Sequence, residues 1–578
     1  MRRFITLTLV LLTAIGTSQT QYYVNGVSGN NSNNGQSPTN AWKTIQKACN
    51  SASPNSIVRI MAGTYHENVV VNVSGTPGNP IVFTNYQNGT VILDGAGTIG
   101  SVMLVINNKK YLTFENLTIQ NLYADYAKAV NIEAGTGSCT GITLRNLTIN
   151  NIGWTQDNQA IASVADNAWG IKVKGQNGGI TDLTIEDCHI FNNVLGYSEA
   201  LILAGNIDGF LIRNCQIHDN TNIGIDIIGH NGSSTDPVLD IPRNGVITGN
   251  TCFRNVSPIA QSAGIYIDGA HNITIERNNC YENPIGIEVG CEEDGVAQYI
   301  KVKNNLIYNN FYTGLAVGGY TTETTGQVLY STFRNNTLFK NNSLNAGIGE
   351  ITVSKASNCV FEDNIVYSGS QNILLTMLEI EPQQNNIVNY NCWYTPAGNP
   401  NNITIYWKDQ TYSSIAAYET YTGQDSNSIY ANPLLGSILL PFPELSLLVS
   451  SLCINHGNPE LLIPEGETDF DGNPRIVGNT IDIGAREFNP ALALGIIQAP
   501  KSTVAPNPFS VRATVYFPEE LSSASLLLYD FSGRLVRAER GLSGNEIMIE
   551  RENLRSGLYL YKVISHNRVI ASGKLSVE

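Results

Sequence analysis

The sequence predicts an all-β chain: a solenoid built as a single-stranded parallel β-helix, followed by a small C-terminal β-sandwich. Three observations predict it. At 578 residues the chain exceeds one ordinary compact core, so part of it must grow along one axis as a repeat array. Fifty-three glycines, a charged fraction of 14% and abundant Asn favour turns and short strands over helical bundles. From residue 100 to about 395 a degenerate repeat of roughly 22–41 residues recurs, marked by an Asn-centred turn.

The turn reads Arg145-Asn146-Leu147, Arg213-Asn214-Cys215, Thr248-Gly249-Asn250, Arg277-Asn278-Asn279, Lys303-Asn304-Asn305 and Arg334-Asn335-Asn336. Asn tolerates left-handed backbone, and its amide can bond the Asn one coil above, so stacked turns form a ladder. One coil has no core of its own. Stacking encloses Ile, Val and Leu between coils and pairs each backbone amide with its neighbour. A sandwich or propeller would show hairpin turns and a regular period, and the repeat shows neither.

At the N-terminus, residues 1–18 read as a secretory signal: Arg2 and Arg3, an apolar run over 4–15, then Gly16-Thr17-Ser18. The run is short for a membrane span, and no later segment is long and apolar enough for one. Ten cysteines in an exported chain permit disulfides, yet Cys188 and Cys215 occupy one place in successive repeats, and Cys280 follows Asn279 in the same way. They are expected to be buried small hydrophobes, with no zinc spacing among them.

Trp42, Ile45, Ala48 and Cys49 have helical spacing and precede a strand over 56–61, so a short helix is expected to cover the open end of the stack. With Ala62-Gly63-Thr64-Tyr65 and Pro80-Ile81-Val82-Phe83, this opening resembles right-handed parallel β-helix proteins such as family 9 pectate lyases and family 6 alginate lyases. The resemblance spans about the first hundred residues and implies the right-handed, pectate-lyase-like fold. It carries no substrate with it.

Coil lengths differ because of insertions at 153–167 and 256–262, before one strand column, and at 230–244, 291–298 and 320–327, after it. Both kinds flank the same column and would wall a groove over it, with Trp154, Trp169, Tyr197 and Tyr320 in or near the walls. Asp469-Phe470-Asp471-Gly472-Asn473 with Ile481-Asp482-Ile483-Gly484 looks like a final coil, its two aspartates read as a capping turn rather than a calcium loop. The β-helix is thus placed at 19–490 and a linker at 491–502. Residues 503–578 carry Ala505-Pro506-Asn507-Pro508-Phe509, Leu528-Tyr529-Asp530-Phe531-Ser532-Gly533 and Ser556-Gly557-Leu558-Tyr559 in order. They are similar to the C-terminal sorting domain of the type IX secretion system of Bacteroidetes, which implies export and then release or surface attachment.

The column that the insertions flank contains three Gly-Ile strands: Gly224-Ile225-Asp226-Ile227, Gly264-Ile265-Tyr266-Ile267-Asp268 and Gly286-Ile287-Glu288-Val289. Strand side chains alternate, so Asp226, Tyr266, Asp268 and Glu288 share the outward face. On coils about 4.8 Å apart, Asp268 and Glu288 have Cα atoms about 8 Å apart, and Asp226 and Glu288 about 10 Å. Carboxyl groups on that grid fall within reach of glycosidase separations, about 5–5.5 Å for retention or 6.5–9.5 Å for inversion. Neighbouring coils place Ile202, Ala204, Ala316 and Gly318 there instead, and like charges stacked this closely cost stability unless something uses them.

The expected site therefore has Asp268, Glu288 and Asp226 as catalytic acids. Tyr266, His230, Glu292, Trp169, Lys172 and Lys174 are its substrate-binding neighbours. The reading is a secreted enzyme on a polysaccharide or oligosaccharide, a glycoside hydrolase for which the sequence names no cofactor and leaves a Ca²⁺ requirement open. The Asp followed one coil later by Glu resembles family 120 xylosidases; Gly229-His230-Asn231 departs from the Gly-His-Gly turn of polygalacturonases. An alternative lyase would hold Ca²⁺ on the acids and use Lys172 or Lys174 to remove a C5 proton. A third reading is a surface glycan-binding protein or adhesin without turnover. A net charge of −15 argues against a nucleic-acid partner, and the chain is expected to work as a monomer beside the secretion machinery that exports it.

Overall fold

The computed structural model describes residues 19–319, 326–441, 443–490, 503–530, 535–565 and 568–578. The secretory signal, the 491–502 linker and Tyr320 lie outside them. The described chain divides into two compact units, one ending at Ala431 and the other beginning at Asn432.

In the first unit each coil has three straight segments, for example Ile225–Ile228, Arg243–Thr248 and Thr251–Phe253. Every segment pairs in parallel with the coils before and after it, giving three faces, here called the site face, the second face and the third face. Coil lengths run from 22 residues between Ile265 and Ile287 to 41 between Val130 and Ile171, the spread the repeat suggested. On the site face Leu104, Val130, Ile171, Leu201, Ile225, Ile265, Ile287, Leu315, Ile351, Leu375 and Ile405 stack inward in register. All are buried, each contributing about 1.5–3 kcal/mol of hydrophobic stabilisation.

Two Asn ladders pin the corners. One runs Asn250, Asn278, Asn305, Asn336, Asn364, Asn391, each side-chain oxygen accepting both the backbone and amide N–H of the Asn before it. The other runs Asn193, Asn220, Asn255, Asn283, Asn310, Asn341 and ends on Glu350, whose carboxyl accepts the backbone and amide N–H of Asn341 at 3.0 and 2.7 Å. The two tasks expected of one Asn are divided between neighbours. Asn304 and Asn335 take the left-handed turn, with φ of 57° and 52°, while Asn305 and Asn336 make the ladder.

The second ladder explains the Gly-Ile signature. A Cβ on Gly224, Gly264, Gly286 or Gly314 would lie 3.0, 2.8, 2.8 or 2.6 Å from the amide nitrogen of Asn255, Asn283, Asn310 or Asn341. Glycine opens these strands because the buried Asn amide fills the space a side chain would need.

All ten cysteines are free and buried. Cys188 and Cys215 precede the first Asn ladder in one column, the backbone N–H of Cys215 donating to Asn250. Cys280 instead pairs with Cys252 on the third face, so it does not share their place. At the N-terminal end a helix, Ile45–Ser51, buries Ile45, Ala48 and Cys49; Thr44 caps it, and the Glu67 carboxylate accepts the N–H groups of Ile45 and Gln46. Trp42 lies just outside the helix, its ring stacked on Tyr22 at 4.8 Å.

The parallel ladder ends at Ile429–Tyr430, well short of residue 490. There a strand, Gln410–Tyr412, folds back antiparallel on Thr404–Trp407, and a helix, Ile415–Thr422, buries Tyr418 beside Trp407. In the second unit, residues 432–490 carry only isolated bridges among the described residues. Asp469 organises a turn there: its carboxyl accepts the backbone N–H groups of Asp471, Asn473 and Glu487. The strands from Thr503 to Val577 form an antiparallel sheet around Phe509, Val515, Leu526, Leu528, Ile549, Val563 and Leu575. Asn305→Ala removes the acceptor for two buried N–H groups of Asn278. It is expected to destabilise the first unit by about 1–3 kcal/mol in a urea titration, whereas a loss below about 0.5 kcal/mol would make the ladder incidental.

Candidate functional site

The strand column flanked by the long insertions has the register that alternation implies. Asp226 pairs with Tyr266 and Tyr266 with Glu288, while Ile228 pairs with Asp268 and Asp268 with Gly290. Lys172 and Ile202 continue the first column on one side of Asp226, and Ala316 and Thr352 continue it beyond Glu288. The outward face thus brings Asp226, Tyr266, Asp268 and Glu288 together.

The surroundings differ from an open outer wall. Asp226 and Asp268 are only 3% and 1% exposed, and Tyr266 is buried. The loop that starts at Cys291 folds back over them, the backbone N–H of Glu292 donating to Asp268 Oδ1 at 2.7 Å. Gly290 leaves room for the Tyr266 ring: a Cβ there would stand 3.3 Å from the phenol oxygen. Glu288 is half-buried and Glu292 exposed, so the approach from solvent runs past them to a floor of Asp226, Tyr266 and Asp268.

A further acid belongs to this group. Glu199 lies two residues before Leu201, the partner of Ile171, and so beside Trp169. Sequence reasoning missed it because strict alternation from the inward Leu201 would turn residue 199 inward. Its place among the acids is carried by its repulsion of Asp226 and the pull of Lys172, and no period in the sequence signals it.

The electrostatics follow from packing acids where water is scarce. Burial drives the carboxyl of Asp226 well above the usual range, and Glu199, Asp268, Glu292 and Glu288 push it the same way. Asp268 is driven up by burial and then by Glu292, against the N–H it accepts from Glu292. Glu288 is pushed up to about 8 by burial and Glu292, and Glu199 to about 7 by burial, with Lys172 opposing. Among the described residues Asp226 Oδ1 has no hydrogen-bond partner, although it is buried. Leaving such an atom unpaired costs about 1–3 kcal/mol, and a ligand hydroxyl would satisfy it.

The remaining expected residues are placed around this centre. His230 stands in the wall, its ring packed where a Cβ on Gly269 or Gly295 would go, and it makes no contact with the acids. Trp169 does not offer a bare face: Lys172 Nζ lies 3.8 Å and Lys128 Nζ 4.9 Å from its ring centre. Its indole N–H favours the charge on Glu199 but closes no hydrogen bond. Lys174 pairs with Glu133 and Ala204, in the column of Asp268 but three coils away. Among the described residues no three His, Cys, Asp or Glu side chains are arranged to hold a metal ion.

Residues 78–337 match the family described as the right-handed β-helix region. A Bacillus subtilis (strain 168) protein, the uncharacterized YwoF, is 33% identical over 408 residues, covering 68% of this chain and 84% of its own. The chain belongs to the right-handed β-helix family. Residues 503–578 of this β-helix protein match the secretion-system C-terminal sorting domain, of the type IX kind, so the protein is exported to the cell surface or medium. Among the described residues no helix is long and apolar enough to cross a membrane. Solved structures share the fold at low identity. The pectate lyase Pel9A matches at 17% identity with a TM-score of 0.44, over 82% of this chain and 98% of its own. The GH136 lacto-N-biosidase from Eubacterium ramulus matches at 13% and 0.47, over 64% of this chain and 67% of its own.

Glu288 gives a test of the site's electrostatics. A glutamate in the unfolded chain ionises near 4.5, so a folded value of about 8 favours the native state most below that pH, and the benefit is lost as pH rises through about 8. Melting curves from pH 4 to 9 are expected to fall less steeply with pH for Glu288→Gln than for the natural protein. Parallel curves would show that Glu288 is not desolvated.

Proposed function

We propose that this exported β-helix protein is a carbohydrate-active enzyme, a glycoside hydrolase that uses Asp268 and Glu288 as its carboxyl pair with Asp226 assisting. The single observation that carries the reading is Asp226 Oδ1, buried and unpartnered among the described residues in a cluster of acids in which Glu288 is half-buried and Glu292 exposed. Buried polar atoms are paired in the great majority, and an unpaired carboxyl oxygen among other acids favours a partner from outside the chain.

The roles follow from each acid's surroundings. Asp268 accepts a backbone N–H that favours its charged form against burial and Glu292, as a nucleophile or base requires. Glu288 has no such donor and stays protonated at neutral pH, as a general acid requires. In hydrolysis the Glu288 proton passes to the glycosidic oxygen as its bond to the sugar carbon breaks. The carbon is then taken by Asp268, or by a water that Asp268 deprotonates, and the elements of water are added across the bond. Tyr266 stands between the two columns with its hydroxyl over Gly290, where it orients the carboxyl beside it.

One observation favours a second reading, a polysaccharide lyase. Burial, with Lys128 adding to it, brings the Lys172 ammonium down to about 8, within reach of the neutral amine that would abstract a proton from a uronate. Lys172 is two coils from Asp226, about 10 Å by strand spacing, which separates that base from the acids.

The pure protein with a panel of oligosaccharides, read by mass, tests the choice. A gain of one water per cut is expected, and products with no gain and ultraviolet absorbance would replace the hydrolase by the lyase. Glu288→Gln and Asp268→Asn are each expected to lower kcat by about 10²–10⁴. Binding of glycans with no turnover of any would leave a surface glycan-binding protein instead.

A further inference from the structure

We propose that the stretch of the site face beside the acids selects a negatively charged sugar, through the ammonium groups of Lys172 and Lys128 held against Trp169. The proposal rests on the hydrolase reading for the position of the cleaved bond and adds the substrate class. It concerns recognition, and no bond changes.

Lys128 and Trp169 are paired across neighbouring coils, and Lys172 follows Trp169 by three residues on the same strand. Both ammonium groups lie over one indole, at 4.9 and 3.8 Å from its centre. The indole face stabilises a cation by about 0.5–2 kcal/mol, and more as water is removed. With its face so occupied, Trp169 is not a platform for a sugar ring. It holds charge in place.

The positive charge gathered there is answered only in part within the protein: Glu199 and Glu133 favour the charged form of Lys172 without closing an ion pair with it among the described residues. Lys172 closes no ion pair or hydrogen bond among the described residues, and its position lowers its affinity for its own proton, in part because Lys128 and Lys174 repel it. Among the described residues Lys128 donates only to the Tyr126 carbonyl, at 3.0 Å. Of the nearby acids, Glu133 accepts the Gln176 amide at 2.7 Å, and its charge favours the charged forms of Lys128 and Lys172. Glu199 also favours the charge on Lys172, but burial pushes its own carboxyl up to about 7, so it answers that charge incompletely near neutral pH. In a chain of net charge −15, Lys128, Lys172 and Lys174 beside Glu133 and Glu199 leave a small local excess of positive charge.

A carboxylate or sulfate on a sugar ring would take the hydrogen bonds that these ammonium groups offer. Lys172 and Asp226 are two coils apart, about 10 Å, so the charged sugar would lie beside the bond to be cut rather than over the acids. The site face then has a basic recognition end and an acidic reacting end. An anionic sugar is drawn to the first and repelled by the second, which sets its direction along the groove.

The experiment is binding calorimetry on the full exported chain carrying Glu288→Gln, so that bonds stay intact. The probes are matched pairs: oligouronides with their carboxyl-reduced forms, and sulfated oligosaccharides with their desulfated forms. At least one acidic probe is expected to bind about tenfold or more tightly than its neutral partner, the preference shrinking as salt rises. Lys172→Met is expected to abolish the preference and Lys172→Arg to keep it, with unchanged melting temperatures reporting an intact fold. The pair that responds tells carboxylate from sulfate. No preference in any pair, or a preference that survives Lys172→Met together with Lys128→Met, overturns the proposal. Charge preference without hydrolysis by the natural chain would end the hydrolase reading alone. Hydrolysis of neutral glycans with no charge preference would end this proposal alone.

Discussion

Strand register between coils is the constraint on which the rest of this structure depends. Backbone hydrogen bonds set neighbouring coils about 4.8 Å apart and leave each residue directly over its counterpart. Any property of one coil is therefore repeated or answered at the same place on the next. The inward Ile, Leu and Val residues become a continuous core, and the buried Asn residues become two ladders whose amides donate both to the next Asn and to a backbone carbonyl of the preceding coil. A slip of one residue would reverse every side chain and break both ladders together.

The same rigidity makes the acidic site tolerable. Asp226, Asp268, Glu288 and Glu199 repel one another and lose water, and each shifts toward its protonated form. A flexible loop would relieve this by moving apart. Here Asp226, Asp268 and Glu288 are attached to strands that are paired on both sides, so the strain stays in proton affinity instead of geometry. A general acid needs that property, and the loops over the column supply the dryness that produces it.

Much of the site was legible because strand alternation is a local rule. Once Ile225, Ile265 and Ile287 were taken as inward, Asp226, Tyr266 and Glu288 had to face outward in one column, and they do. The rule did not reach Glu199, which precedes its strand and which alternation from Leu201 would turn inward. It also said nothing of depth. Asp268 is covered by a loop residue, Glu292, donating its N–H back to the strand, a contact between positions that no period connects. The Asn-centred turn was visible, but its division into one residue that turns and one that ladders depends on which side chain points into the coil corner.

By itself the sequence determined the solenoid, its span of coil lengths, the outward acids and the exported destination, because each of these is written in spacing or in a terminal motif. Tertiary structure alone decided how dry the acids are, that Glu199 joins them, that Lys128 and Lys172 share the face of Trp169, and that the coil ladder stops at Tyr430. The physical reason is the range of the interactions. Alternation and register act between bonded or directly stacked residues, whereas proton affinity and charge pairing depend on all the matter within several ångströms, whatever its position along the chain.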